Sequence, residues 1–385
     1  MPARRHEPEV VTASTAVNLR RVSSWRGIRV LAWDRDALFG CRGYQLVCLQ
    51  TVQLPQAESA AWEPVARFRP VWWRKLTARS RLGYRLVRDG FHALAVLDDK
   101  TMIAAVAGAI VTRPPQSDEF RVTHKILWGT RPLHIAAVPS GYIYWGEYFD
   151  NRDRKEVHIY ASADQGQTWH VAHTFPAGAI RHVHNIVYDR WGDCVWILTG
   201  DEGTECKVLR ADRDLRSVET VLSGNQQARA VAAVPCEDAL YLSTDTPFEQ
   251  NHVLRLDRTG PIERIADLAS SSIFGCRSAN ALFFSTMAEP SPVNSTDEVC
   301  IAGSGDMTSW HTLVRWKKDA LPMRYFQYGN AILPGGENTT NYLAATTIAV
   351  NDEDLVTTLW EVGTKENRKA NASSSANAAT ARFTS

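Results

Sequence analysis

Residues 141–175 read GYIYWGEYFDNRDRKEVHIYASADQGQTWHVAHTF. Three runs within it, 142–147, 157–163 and 169–175, are short, rich in aromatic and β-branched residues, and divided by Gly, Asn and Asp. That is the composition of strands joined by turns, and the 3.6-residue period of an amphipathic helix is missing. A fourth run, 134–138, precedes them. The four-run unit then recurs at a spacing of roughly 45 residues. Its copies are 184–188, 194–201, 207–211 and 218–222; then 228–234, 239–245, 252–256 and 262–268; then 272–276, 281–286, 298–303 and 310–316. Two looser units, 27–68 and 88–127, come first, and a last one, 325–361, has three strands.

Short strands repeated at that spacing predict an all-β fold, a β-propeller of four-stranded blades. The units give seven blades, or six if one of the first two is not a blade. A ring of this kind keeps open strand edges unless its termini share a blade. The alternating stretch 10–19 is the expected outer strand of the last blade, added from the N-terminus. The chain thus divides into a segment with the closing strand at 1–20, the propeller at 21–362, and a tail at 363–385. The tail is small and polar and reads as disordered.

One segment, Ser162-Ala163-Asp164-Gln165-Gly166-Gln167-Thr168-Trp169, matches the Asp-box pattern S-x-D-x-G-x-T-W, also called the bacterial neuraminidase repeat. Such a segment connects the third and fourth strands of a blade: Asp accepts backbone hydrogen bonds, Gly takes a positive φ, and Trp packs beneath. Degenerate copies stand in phase at Ser304-Gly305-Asp306 with Ser309-Trp310, and at Ala211-Asp212-Arg213-Asp214. On these residues the chain resembles the sialidase-like Asp-box propeller superfamily, over residues 20–362. It is also similar to uncharacterised bacterial Asp-box proteins labelled glycosyl hydrolase. The resemblance implies a carbohydrate-active propeller. It places Asp164 on the outer side of a blade, as a structural residue. Sialidases carry an F/Y-R-I-P motif; the nearest string here, Arg67-Phe68-Arg69-Pro70, lacks the Ile, so sialidase activity itself is not implied.

Composition removes other classes. With 43 Lys+Arg against 42 Asp+Glu, no global field would hold nucleic acid or an anionic membrane, and neither is expected as a partner. The seven cysteines form no CxxC pair, so neither a zinc knuckle nor a redox motif is supported. The opening MPARRHEPEVVTAS has charge but no apolar core, and no run approaches the roughly 18 apolar residues of a membrane span. A cytoplasmic protein with reduced thiols is the expectation. The 13 Trp fit either packing or a sugar-handling surface. Trp145, Trp169 and Trp196 lie in strand runs and are expected as packing between blades. Trp72-Trp73, in a turn-like stretch beside Arg74 and Lys75, is a candidate stacking platform.

Propeller geometry locates a site without a motif. Residues just before each first strand, and at the end of each second strand, converge on the mouth of the central channel. Second strands end at Glu147, Asp201 and Asp245, with Glu289 close after the sixth. Before first strands stand His134 with Arg131, Arg181-His182-Val183-His184, and Arg229; the second unit offers His92, the sixth Arg277, and the last Arg324, Gln327 and Tyr328. A channel lined this way has catalytic inventory, although Asp also ends strands merely by bonding turns and channel histidines also serve as bonded core groups. His182 and His184, two residues apart, share one face of a strand and would suit a divalent metal if a carboxylate joined them. No other cofactor is indicated.

Three functions follow. As a glycoside hydrolase on an acidic oligosaccharide, Glu147 and Asp201 would be the carboxylate pair, Asp245 the substitute, and Arg181 and Arg229 the clamps on a substrate carboxylate. As a polysaccharide lyase, His184, Arg229 and Tyr328 would abstract a proton α to a uronate carboxylate. The third possibility is a non-catalytic propeller binding a glycan or a protein across the mouth. Oligomeric state is not legible.

Overall fold

A computed structural model describes residues 17–364, except 52–53, 55–60, 140 and 259–260. The chain is all-β, seven sheets in a ring. Strand β1 (Val17–Arg26) opens it. Blade one is β2 (Arg29–Arg35), β3 (Ala37–Arg42), β4 (Gln45–Gln50) and β5 (Glu63–Arg67); blade two is β6 (Ala93–Val96), β7 (Met102–Val106), β8 (Ala109–Arg113) and β9 (Arg121–Lys125). Blade three comprises β10 (Ala136–Ala137), β11 (Ile143–Gly146), β12 (Val157–Ser162) and β13 (His170–Phe175); blade four, β14 (Val183–Asp189), β15 (Cys194–Thr199), β16 (Lys207–Ala211) and β17 (Val218–Ser223). Blade five has β18 (Ala230–Pro235), β19 (Leu240–Thr244), β20 (Asn251–Leu256) and β21 (Ile262–Leu268); blade six has β22 (Ser272–Ser278), β23 (Ala281–Thr286), β24 (Glu298–Ser304) and β25 (His311–Lys317). The last strands are β26 (Asn330–Ile332), β27 (Gly335–Asn338), β28 (Tyr342–Ile348) and β29 (Val356–Thr364).

The seventh blade runs β1-β29-β28-β26, so the N-terminal strand closes the ring against the C-terminal one. The closing strand, described over Val17–Arg26, extends past residue 20; residues 10–16 of the stretch 10–19 lie outside the described residues, as does the tail from 365. Val17 and Leu19 turn inward with Val362 and Trp360. The one departure from four strands per blade is β27, which leaves blade seven and pairs in parallel with β2. Its Gly336 has φ +86° and would drive a Cβ to 2.1 Å from the Trp33 carbonyl, so only glycine fits this approach.

The core lies between blades. Trp145 and Trp196 are each 1% exposed. Trp145 stacks on Tyr160 at 4.4 Å, and Trp169 meets it edge-on. Trp196 donates to Asp189 at 3.1 Å, and Arg258 from blade five grips both oxygens of the same carboxylate at 2.9 and 3.0 Å. All seven cysteines are free and buried. The Asp-box segment is the turn between β12 and β13: Asp164 accepts from Gln167 N, Thr168 N and Thr168 Oγ1, and Gly166 has φ +79°. Its Gly166 carbonyl accepts from Thr112 of the preceding blade at 2.7 Å. Asp306 makes the same turn before β25, at 2.7 Å to Ser309 N.

Trp72 and Trp73 do not sit in a turn. They begin helix α1 (Trp72–Thr77), followed by α2 (Arg81–Val87), and both indoles are exposed. Arg85 anchors this insertion, buried against Asp319, Asp354 and the Phe326 carbonyl beside a third short helix, α3 (Met323–Phe326). No helix among the described residues is long and apolar enough to cross a membrane.

Candidate functional site

Inner strands β2, β14, β18 and β22 each carry a register slip near their first residues, at Val30/Ala32, Val183/Asn185, Ala230/Ala232 and Ser272/Phe274. A bulge bends a strand and re-aims a side chain. In blade four the residue at the slip is His184.

Asp201, two residues beyond β15, is the hub of the mouth. His184 Nε2 lies 3.3 Å from its Oδ1 and His182 Nε2 3.6 Å from its Oδ2; Arg181 pairs with Oδ2 at 3.1 Å and Arg229 with Oδ1 at 3.3 Å. Burial raises its pKa, but the adjacent imidazoles of His182 and His184 outweigh that and hold the carboxyl far below the usual range. Arg229 also reaches Asp245 at 3.4 Å. Asp245 behaves oppositely: burial, despite Arg229 and with the charge of Glu289 and then Asp201 adding to it, pushes it up to about 7. Glu289, half-buried, is raised by burial against the pull of Arg229, with Tyr328 within hydrogen-bonding reach. Tyr148 packs over His182 at 4.3 Å between ring centres; burial, then Asp201 and Asp245, push it up to about 12. His134 is driven down to about 4 by burial and by neighbouring His184.

Five positions depart from the sequence expectation. Glu147 stands at the end of β11 but turns into its own blade, accepting from His158 N at 2.9 Å and from the Tyr160 hydroxyl at 3.5 Å. It is therefore not paired with Asp201. Arg277 lies at the far end of β22, over the Trp191 ring in the β14–β15 turn. Five residues of strand, Ser272 to Cys276, separate it from the mouth. Gln327 is used structurally, donating to the Arg85 carbonyl at 2.8 Å. Arg181 and Arg229, expected to clamp a substrate acid, are matched internally: Arg181 by Asp150 and Asp201, Arg229 by Asp201 and Asp245.

The arginines without a carboxylate partner among the described residues are different ones. Arg29, at the start of β2, is 7% exposed; its Nε and Nη2 have no partner and Nη1 meets His92 Nδ1 at 3.2 Å. Arg131 is pushed down to about 10 by burial and then by Arg29 and Arg88. The mouth thus has a cationic side from blades one to three and a carboxylate side from blades four to six. Arg29 and Tyr148 were missed from sequence. Arg29 obeys the same rule as Arg229, at the start of a first strand, but the strand repeat is least regular in the first unit.

No family model matches the chain, and no curated protein matches it in sequence. Among solved structures it is similar to a chain of the Mitotic Checkpoint Complex at 13% identity, covering 94% of this chain and 99% of that one, with a TM-score of 0.53. It is also similar to the WD40 β-propeller domain of Doa1, at 7% identity over 90% of this chain and 97% of that one, TM-score 0.53. These likenesses are of fold alone.

Proposed function

We propose that the protein is a glycoside hydrolase acting on an acidic oligosaccharide held across the channel mouth. The observation that carries this reading is the pair Asp245 and Glu289, on adjacent blades and both coupled to Arg229. Asp245 keeps its proton up to about 7, and the charge of Glu289 helps to hold it there. A glycosidase needs this division, one carboxyl protonated to release the leaving oxygen and one ionised as base or nucleophile. Asp201, expected to be half of the pair, is committed to four partners, and Glu147 to its own blade. Arg29, Arg88 and Arg131, close enough to repel one another, supply the positive charge that would attract the acidic group of the substrate. The Asp-box turns support the same reading by resemblance.

A screen of acidic oligosaccharides for new reducing ends tests it. Asp245→Asn and Glu289→Gln should each lower turnover on the substrate found by roughly a hundredfold or more, with the fold kept by circular dichroism. Full activity in both variants would refute it. Elimination by His184 and Arg229, which meet at Asp201, is the second reading; it yields an unsaturated, ultraviolet-absorbing product in the same screen.

A further inference from the structure

His182 Nδ1 lies 2.9 Å from the Phe149 carbonyl and His184 Nδ1 lies 3.0 Å from the Ala230 carbonyl. A carbonyl oxygen only accepts, so both Nδ1 atoms carry their hydrogen. In a neutral imidazole that leaves Nε2 as a bare lone pair. The two Nε2 atoms face each other at 3.0 Å, and the Asp201 carboxylate meets them at 3.3 and 3.6 Å. With both imidazoles neutral, three Lewis bases converge with no hydrogen among them, an arrangement that repels itself until a cation at the centre, or a proton on one Nε2, relieves it.

The spacing fits one. A tetrahedral ion with nitrogen and oxygen ligands at about 2.0–2.1 Å has ligand–ligand edges of about 3.3–3.4 Å; the Nε2–Nε2 distance and the approach of one Asp201 oxygen to each imidazole straddle that value, and one ligand atom from each residue lies within 4.8 Å of the others. Both imidazoles are buried, 5% and 3% exposed, and the backbone carbonyls that hold their Nδ1–H groups are the usual orienting shell of metal-ligating histidines. Arg181 and Arg229 approach the same carboxylate, but Asp150 answers Arg181 and Glu202 lies 4.0 Å from it. The neighbourhood keeps negative charge for a dication.

We propose that His182, His184 and Asp201 bind one divalent cation with the preferences of Zn²⁺, leaving its fourth position to solvent or a ligand oxygen in the channel. The donor set, two imidazoles and a carboxylate, favours Zn²⁺ over Mg²⁺ or Ca²⁺, which prefer oxygen ligands. Arg229 joins Asp201 to Asp245, but ion binding is read without any substrate, so the proposal does not depend on the hydrolase reading.

The test uses the full chain, dialysed against a chelator and titrated with Zn²⁺ by calorimetry and with Co²⁺ by visible absorption. One ion per chain is expected, with the intense ligand-field bands of four-coordinate Co²⁺. Binding should vanish in His182→Ala and in His184→Ala, weaken in Asp201→Asn, and persist in His170→Ala, which alters an exposed histidine on β13. In the wild-type protein, which needs no variant to fold, Zn²⁺ should shift the imidazole ¹⁵N resonances of two buried histidines. No stoichiometric binding at micromolar ion, or binding that survives loss of both His182 and His184, overturns the proposal.

Discussion

Replacing Asp245 by asparagine removes one ionisable group from the channel while keeping its shape and its hydrogen-bond acceptor toward Arg229. In the folded protein Asp245 holds its proton up to about 7, against an ordinary value of 3.8. Between those values the folded chain binds a proton that the unfolded chain has released, so stability falls as pH rises. The contribution is fully present below about 4 and lost by about 7, the reverse of a salt-bridged carboxylate. A difference of about 3 pH units corresponds to roughly 4 kcal/mol, an order-of-magnitude figure for so buried a group. Urea unfolding of wild type and Asp245→Asn at half-unit steps from pH 4 to 8 measures it. The variant should gain on the wild type by about 1.4 kcal/mol per pH unit across that window, and then run parallel above it. Other groups titrate there too, but they are common to both proteins and cancel in the difference. Parallel curves throughout would mean that Asp245 is ionised in the fold, and the acid assigned to it would go with it.

Two further substitutions test how the ring is held. Asp164→Ala removes the acceptor of the β12–β13 turn and should cost about 1–3 kcal/mol in unfolding while leaving turnover unchanged; a loss of turnover in a stable variant would contradict its structural role. Arg258→Met leaves Asp189 buried without its cation and should cost about 3–5 kcal/mol by urea unfolding; a change below about 1 kcal/mol would mean that the pair does not join blades four and five.

Much of the ring was legible because each blade repeats the same order of strands. In-phase runs located all seven blades, and the three-strand shortfall of the last unit pointed to closure by the N-terminus. Strand β27 was not legible: Gly335, Gly336, Glu337 and Asn338 have no strand composition, and only the close approach to Trp33 makes them one. Helices α1 and α2, six and seven residues long, are too short to show a helical period.

The site was legible as a set of positions and illegible as a set of directions. Asp201 and Asp245 meet at Arg229, with Glu289 in electrostatic reach, because the ends of successive second strands share the mouth. Glu147 holds the equivalent position, yet one backbone donor from His158 turns it inward, and no pattern in the chain forecasts that. Arg277 was placed near the mouth by its nearness to a first strand. Five residues past Ser272, at about 3.3 Å each, carry it roughly 17 Å down the blade. Which arginines are free likewise depends on their partners. Arg181 and Arg229 found carboxylates; Arg29 did not.

The most direct measurement is the chemistry of the product. The purified chain, incubated with a panel of acidic oligosaccharides, should release new reducing ends with no rise in ultraviolet absorbance, and Asp245→Asn should abolish that release. A product carrying a new double bond, or tight sugar binding without any cleavage, would contradict the account.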